Sequence, residues 1–262
     1  MTAFDERVRE YFARPGTVST WWTPDEGPMA FHYDAELAVL RERLPVEPGW
    51  RVLDLGTGRG RFGVWFASQG CRVVGVDLNP DMLAIAAETA RRAGVADRFE
   101  LRAGGAEDLS AFAPGSFDCV CLMELFDHLP DLGAVLATAR GVLARDGRLV
   151  FTYVPGESLY GALGNVYRRF RAPRGEQIIS RTYSLGEIRR LLAGAGFRLE
   201  AYYGIGLLCV SAQTRLFQDH PLVRAATAVA RAEARRVPYW TTPLLARHGA
   251  HVVGVARPEP RR

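Results

Sequence analysis

Two acidic side chains bracket a run of glycines early in the chain, and their spacing describes a ligand site. Residues 51–60 read RVLDLGTGRG, an apolar run that enters a glycine-rich turn at Gly56, Thr57 and Gly58. Glycines there let backbone amides approach a ligand closely. A nicotinamide fingerprint of the form G-x-G-x-x-G is not met, because Arg61 stands where the third glycine belongs. Asp54, two residues before Gly56, suits a cationic ligand better than a pyrophosphate. Asp77 closes the next apolar run, 21 residues after Gly56, the distance at which a second strand's acid reaches a ribose diol. Each half alone is compatible with nothing more than a tight turn. In strand-turn-helix-strand order they imply a nucleoside-containing cofactor held at Asp54, Gly56, Thr57, Gly58, Asp77 and Leu78.

A second cluster lies in Leu122 to Asp131, LMELFDHLPD. On a helical turn Glu124, Asp127 and His128 fall at i, i+3 and i+4 and share one face. Three readings fit. His128 can accept a hydroxyl proton near neutral pH. The three side chains can instead hold a divalent ion such as magnesium, which would acidify a bound phenol or catechol. Or Asp127 and His128 cap and pack the loop beneath the cofactor. A lysine base or Schiff base is eliminated, since all 33 basic side chains are arginine.

The elements that must position these groups are legible as alternation. Apolar runs at 51–55, 72–77, 98–102, 117–123 and 148–154 are separated by segments of helical periodicity, which predicts a parallel sheet with crossover helices. Runs at 197–203 and 251–256 bring the count to seven strands. Asn79-Pro80 reads as a capping side chain before a first-turn proline, and Ser184 to Glu187 as a capping box. Three segments lie outside the repeating unit: a helical cap over 1–48, and insertions at about 156–180 and 206–248. In the first insertion Leu159, Tyr160, Leu163, Val166, Tyr167 and Phe170 recur at helical spacing beside Arg168, Arg169, Arg171 and Arg174. That predicts a basic amphipathic helix whose apolar face either closes the site or makes a peripheral membrane contact through 156–174.

Bulk properties set the frame. With 262 residues, 48% hydrophobic and 24% charged, the chain can bury one large core. Met1 to Tyr11 has the charged pattern of a helix rather than of a secretory signal, and no apolar run approaches the roughly 18 residues of a membrane helix. A cytoplasmic protein is expected. Cys71, Cys119, Cys121 and Cys209 lack paired metal-site spacing and read as reduced thiols. Residues 151–262 hold 17 arginines against 7 acids, whereas 1–150 hold 16 against 22. This asymmetry fits a solvated surface, an anionic membrane or an anionic substrate.

The stretch Asp54 to Gly60, with Asp77 as the matching ribose acid, resembles the signature of class I S-adenosylmethionine (SAM)-dependent methyltransferases. Ser116 to Val120 resembles that family's fourth strand, and Leu143 to Leu149 the turn into its fifth. The resemblance implies a Rossmann-like α/β fold, with a seven-stranded mostly parallel sheet, helices on both faces and capping insertions. Gly105 occupies the place of the family's usual adenine-binding acid, so the adenine contact is expected at Glu107 or the Ala106 backbone, with Met123 completing the cofactor set. Trp21-Trp22, Glu26-Gly27 and His32, then the SAM motif, then Glu124-x-x-Asp127-His128-x-Pro130-Asp131 resemble the O-methyltransferases of ubiquinone biosynthesis over about 20–155. In that group the acidic-histidine cluster is implicated in metal binding, with glutamate where this chain has Asp127. Trp21 and Trp22 would lid an acceptor ring or anchor the N-terminal helix. The resemblance implies methyl transfer to a hydroxyl of a small phenolic, prenylated or specialised-metabolite acceptor. N- or C-methylation and a non-catalytic SAM-binding protein are the alternatives. Nucleic acid is not an expected partner, because no Asn-Pro-Pro-aromatic cluster follows the fourth strand.

Overall fold

The computed structural model describes residues 6, 10–14, 30–171, 181–207 and 221–260. Trp21, Trp22, Glu26, Gly27, Arg174, Cys209 and the adjoining parts of the expected cap and insertions lie outside the described residues. The seven expected strands are all present: β1 Arg51–Leu55, β2 Arg72–Asp77, β3 Phe99–Ala103, β4 Phe117–Leu122, β5 Leu143–Tyr153, β6 Phe197–Ile205 and β7 His251–Pro258. They form one sheet in the order β3-β2-β1-β4-β5-β7-β6. β1 to β5 are parallel, and β7 runs antiparallel between β5 and β6. The order reverses between β1 and β4, the switch point outside which ligands bind in open α/β sheets.

Burial on both faces follows from the two-residue strand period. Leu53, Leu55, Val74, Val76, Val120 and Leu122 point into one core, covered by α4 (Leu132–Val142) and α6 (Leu185–Gly194). Val52, Val73, Cys119 and Cys121 point into the other, covered by α1 (Ala30–Arg43), α2 (Arg61–Ser68) and α3 (Pro80–Arg92). Cys119 and Cys121 thus share one face, and with Cys71 they are free and buried. α5 (Leu159–Arg171) lies in the first insertion, and α7 (Pro221–Arg236) and α8 (Pro243–Ala246) lie in the second.

Both expected caps form. Asn79 Oδ1 accepts from the amides of Asp81 and Met82, and Ser184 and Glu187 exchange both arms of a capping box. β5 starts five residues before the expected 148, because Leu143 already pairs with Phe117 ahead of a register shift. Phe126 stacks on Phe151 with ring centroids 4.4 Å apart and planes 4° from parallel. Such a pair contributes about 0.5–1.5 kcal/mol beyond area burial, and it pins the loop after β4 to β5. Among the described residues no helix is long and apolar enough to cross a membrane.

Candidate active site

The glycine turn is assembled almost entirely from neighbours in sequence. The amides of Gly56 and Thr57 both donate to the Val76 carbonyl, at 2.8 and 3.0 Å, which locks the end of β1 to the end of β2. Gly56 sits at φ 67, and a Cβ there would lie 2.8 Å from Leu125 Cδ1, so only glycine leaves both the backbone angle and the space free. The Gly58 amide donates to Asp77 Oδ2 at 2.8 Å, and the Asn79 amide to Asp77 Oδ1 at 2.9 Å. Burial pushes the Asp77 carboxyl above its usual range, against these amides.

Asp54 is buried and accepts the Thr57 hydroxyl at 2.7 Å. Burial, opposed by that hydrogen bond, pushes its carboxyl up to about 7. It braces the turn from behind and does not line the cavity, whereas Gly56, Thr57, Gly58, Asp77, Leu78, Ala106, Glu107 and Met123 all do. Beyond β3, a Cβ built on Gly105 meets the Glu107 carboxylate. The Glu107 carboxylate thus fills the space beside Gly105.

The cavity, of about 270 Å³, continues from the glycine turn to a wall that holds Glu124, Asp127 and His128. These three do not present one face of a helical turn. Glu124 is at φ 56, the one described non-glycine residue with positive φ, and its amide donates to Thr152 Oγ1 at 2.5 Å. A helix cannot run through that left-handed residue, so only Phe126–His128 forms a short 3-10 turn. Asp127 Oδ1 accepts the Val154 amide at 3.1 Å, and His128 lies against the Phe12 ring with centroids 4.9 Å apart. The Phe12 carbonyl in turn accepts from Asn79 Nδ2 at 2.7 Å, which ties the N-terminal segment to the cofactor end.

Glu124 turns instead toward partners distant in sequence. Its Oε1 lies 2.8 Å from His251 Nδ1, and Glu36 Oε1 lies 3.4 Å from the same nitrogen. The His32 and His251 rings meet edge to face at 4.2 Å. Among the described residues, the imidazole and carboxylate atoms that converge within 4.8 Å of one another belong to His32, Glu36 and His251. The set Glu124, Asp127 and His128 does not converge in this way.

Burial disfavours charge throughout this cluster, and the pairing decides who carries it. Burial opposes the His251 cation, but Glu124 and Glu36 outweigh burial and raise its pKa well above the ordinary value. Burial likewise opposes the Glu124 carboxylate, yet His251 holds it below the ordinary range. Burial and the charge of Glu124 push Glu36 well up, and burial and His251 push His32 well down. The resulting state is a Glu124–His251 ion pair beside a neutral acid and a neutral imidazole. His32 is marked in the sequence only through a resemblance, and Glu36 and His251 are not marked as site residues. Glu36, four residues from His32 on the same helix face, carried a usable signal; His251 heads an apolar strand and carried none.

A doubly covered sheet whose order reverses beside a glycine turn and a diol-spaced acid is the frame of a Rossmann-like nucleoside-binding protein. A family of methyltransferase domains matches residues 53–151. The ubiquinone biosynthesis O-methyltransferase of Xanthomonas euvesicatoria is 30% identical over 193 residues, covering 72% of this chain and 80% of that protein. Its counterpart from Chromobacterium violaceum is 29% identical over 79% of this chain and 89% of its own length. A SAM-dependent methyltransferase structure from Thermotoga maritima superposes with a TM-score of 0.57 at 22% identity, covering 87% of this chain and 91% of its own. The chain belongs to the SAM-dependent methyltransferase family that includes the ubiquinone biosynthesis O-methyltransferases.

Proposed function

We propose that this methyltransferase acts on a hydroxyl group of a small organic acceptor, with His128 taking the proton. Bound SAM supplies the electrophilic methyl group. The chain's own residues have to hold the acceptor oxygen in line, remove its proton and keep water out. The observation that carries the reading is one continuous cavity lined by the glycine turn and by His128, Glu124 and His251. The Nδ1 of His251 is already engaged by the Glu124 and Glu36 carboxylates. His128 lies outside that cluster, and the Val154 bond of Asp127 holds its turn in place.

Phe12, Phe62, Met82, Leu129 and Val154 give the cavity its apolar lining, which suits a phenolic or prenylated acceptor. Glu107 takes the adenine amine in place of an acid at Gly105. The names of the relatives support transfer to oxygen. On α5, Tyr160 lines the cavity while Leu159, Leu163 and Val166 are 49%, 46% and 53% exposed. That exposed stripe favours membrane contact over a buried lid, and the arginine excess of residues 151–262 fits an anionic lipid surface. The side chains of Arg168, Arg169 and Arg171 lie outside the described residues.

The test is turnover of SAM on phenolic and lipid-quinol acceptors by wild type and His128→Ala. The expected result is a loss of about 100-fold or more in turnover with SAM affinity retained. Equal turnover at pH 7 would remove His128 from the chemistry, and turnover on amines alone would remove the hydroxyl acceptor.

A further inference from the structure

The proton transfer assigned to His128 gives no role to the cluster of His32, Glu36, Glu124 and His251. His32 and Glu36 come from successive turns of α1, Glu124 from the loop after β4, and His251 from the first position of β7. His32, Glu36 and His251 are 2%, 0% and 6% exposed. Both ring nitrogens of His32 and Oε2 of Glu36 are buried without a hydrogen-bond partner. Buried polar atoms are ordinarily paired, and each exception calls for a ligand or another explanation. Here the unpartnered atoms belong to side chains of one converging cluster, and they are of metal-ligating type.

We propose that His32, Glu36 and His251, joined by Glu124, form a binding site for one divalent transition-metal ion of the zinc, manganese and iron class. Two imidazoles with carboxylates favour these ions, whereas magnesium and calcium favour all-oxygen sites. The three ligand atoms already lie within 4.8 Å of one another. A four-coordinate zinc with bonds of about 2.0–2.2 Å separates its donors by about 3.4 Å, so small side-chain rotations close the set, with release of the protons that His251 and Glu36 carry in the metal-free chain. The carboxylates of Glu36 and Glu124 are in hydrogen-bond contact beside His251, and with Glu36 fully buried such a pair needs a shared proton or a cation between them. From a strained φ of 56, Glu124 directs its carboxylate to His251 and Glu36. His251 and Glu124 also line the cavity, which provides the route of entry and places the ion at the acceptor end. The proposal stands independently of O-methylation.

The experiment is calorimetric titration of the chelator-stripped full chain with Zn²⁺, Mn²⁺ and Mg²⁺, together with zinc-edge X-ray absorption of the zinc-loaded wild type. We expect one zinc per chain, preferred over magnesium by about tenfold or more, with two imidazole ligands in the absorption spectrum. Glu36→Gln and His32→Gln should each weaken zinc by about tenfold or more, while Asp127→Asn and His128→Ala leave it unchanged. SAM titration of every variant reports whether the fold survives. Absence of stoichiometric zinc binding, a single imidazole in the spectrum, or wild-type zinc affinity in both cluster variants overturns the site and leaves a proton-sharing network. Loss of zinc in Asp127→Asn and His128→Ala, with the cluster variants intact, overturns it in favour of the loop residues.

Discussion

The glycine turn and the wall opposite it share one cavity and are built in opposite ways. The turn uses backbone amides and two acids drawn from residues 54–79, each satisfied by a neighbour in the same strand-turn-helix unit. The wall uses side chains drawn from residues 32–251, one of them on a strained backbone and two with unpartnered atoms. A cofactor common to a whole family can be held by geometry that local sequence dictates. The wall has to be assembled from side chains whose burial is compensated only when the complete fold closes around them.

The contrast breaks most visibly at Asp77. Asp77→Ala removes the acceptor of two amides and the acid spaced for the ribose, and SAM affinity should fall by about 1000-fold, or about 4 kcal/mol, in a calorimetric titration. Retention within about tenfold would mean that this acid is not what holds the cofactor.

Stability against pH separates the two regions next. Asp54 is raised to about 7 in the folded chain, from an ordinary value of about 3.9. Its contribution is therefore full below the ordinary value and is lost as pH rises to about 7. Asp54→Asn should remove a pH-dependent loss of about 4 kcal/mol across that window, measured by denaturant unfolding of the SAM-free protein. His251, also raised, should hold its contribution to about pH 6.5 and lose it only above, so His251→Gln flattens a different limb. One shared window for both variants would contradict the separation.

Glu124→Gln sharpens the comparison from the other side. It removes the counter-charge of His251, and turnover should fall by about 100-fold, about 2.7 kcal/mol, while SAM affinity stays within about threefold. A parallel loss of SAM affinity would show that wall and turn are one unit. The smallest effect is expected away from both. Ser184→Ala breaks the capping box of α6 and should cost about 1 kcal/mol of stability, read as a lower unfolding midpoint, with turnover and SAM binding unchanged.

Much of the fold could be read from residues alone, and the reasons are local. Alternating apolar positions placed Val52 and Leu53 on opposite faces of β1, and Asn79 and Ser184 announced their helices by side-chain caps. Gly56, Gly58 and Asp77 were legible because a parallel pair joined by a short helix brings its strand ends together at a nearly constant sequence distance. Glu124 departs from this local logic, since helical spacing predicts a face shared with Asp127 and His128 that its left-handed backbone does not form. The Thr152 hydroxyl, 28 residues away, takes the Glu124 amide and breaks that face.

Residue order therefore determined the sheet, its covering helices and the cofactor turn, since each rests on φ/ψ preferences, strand period and contacts within a few dozen residues. The fold as a whole decided which acids and imidazoles meet. Inserting β7 antiparallel between β5 and β6 carries His251, opposite Ile205, to Glu124 and to the buried face of α1. Their charge states follow from burial and mutual distance, and neither quantity exists until segments more than two hundred residues apart are packed together.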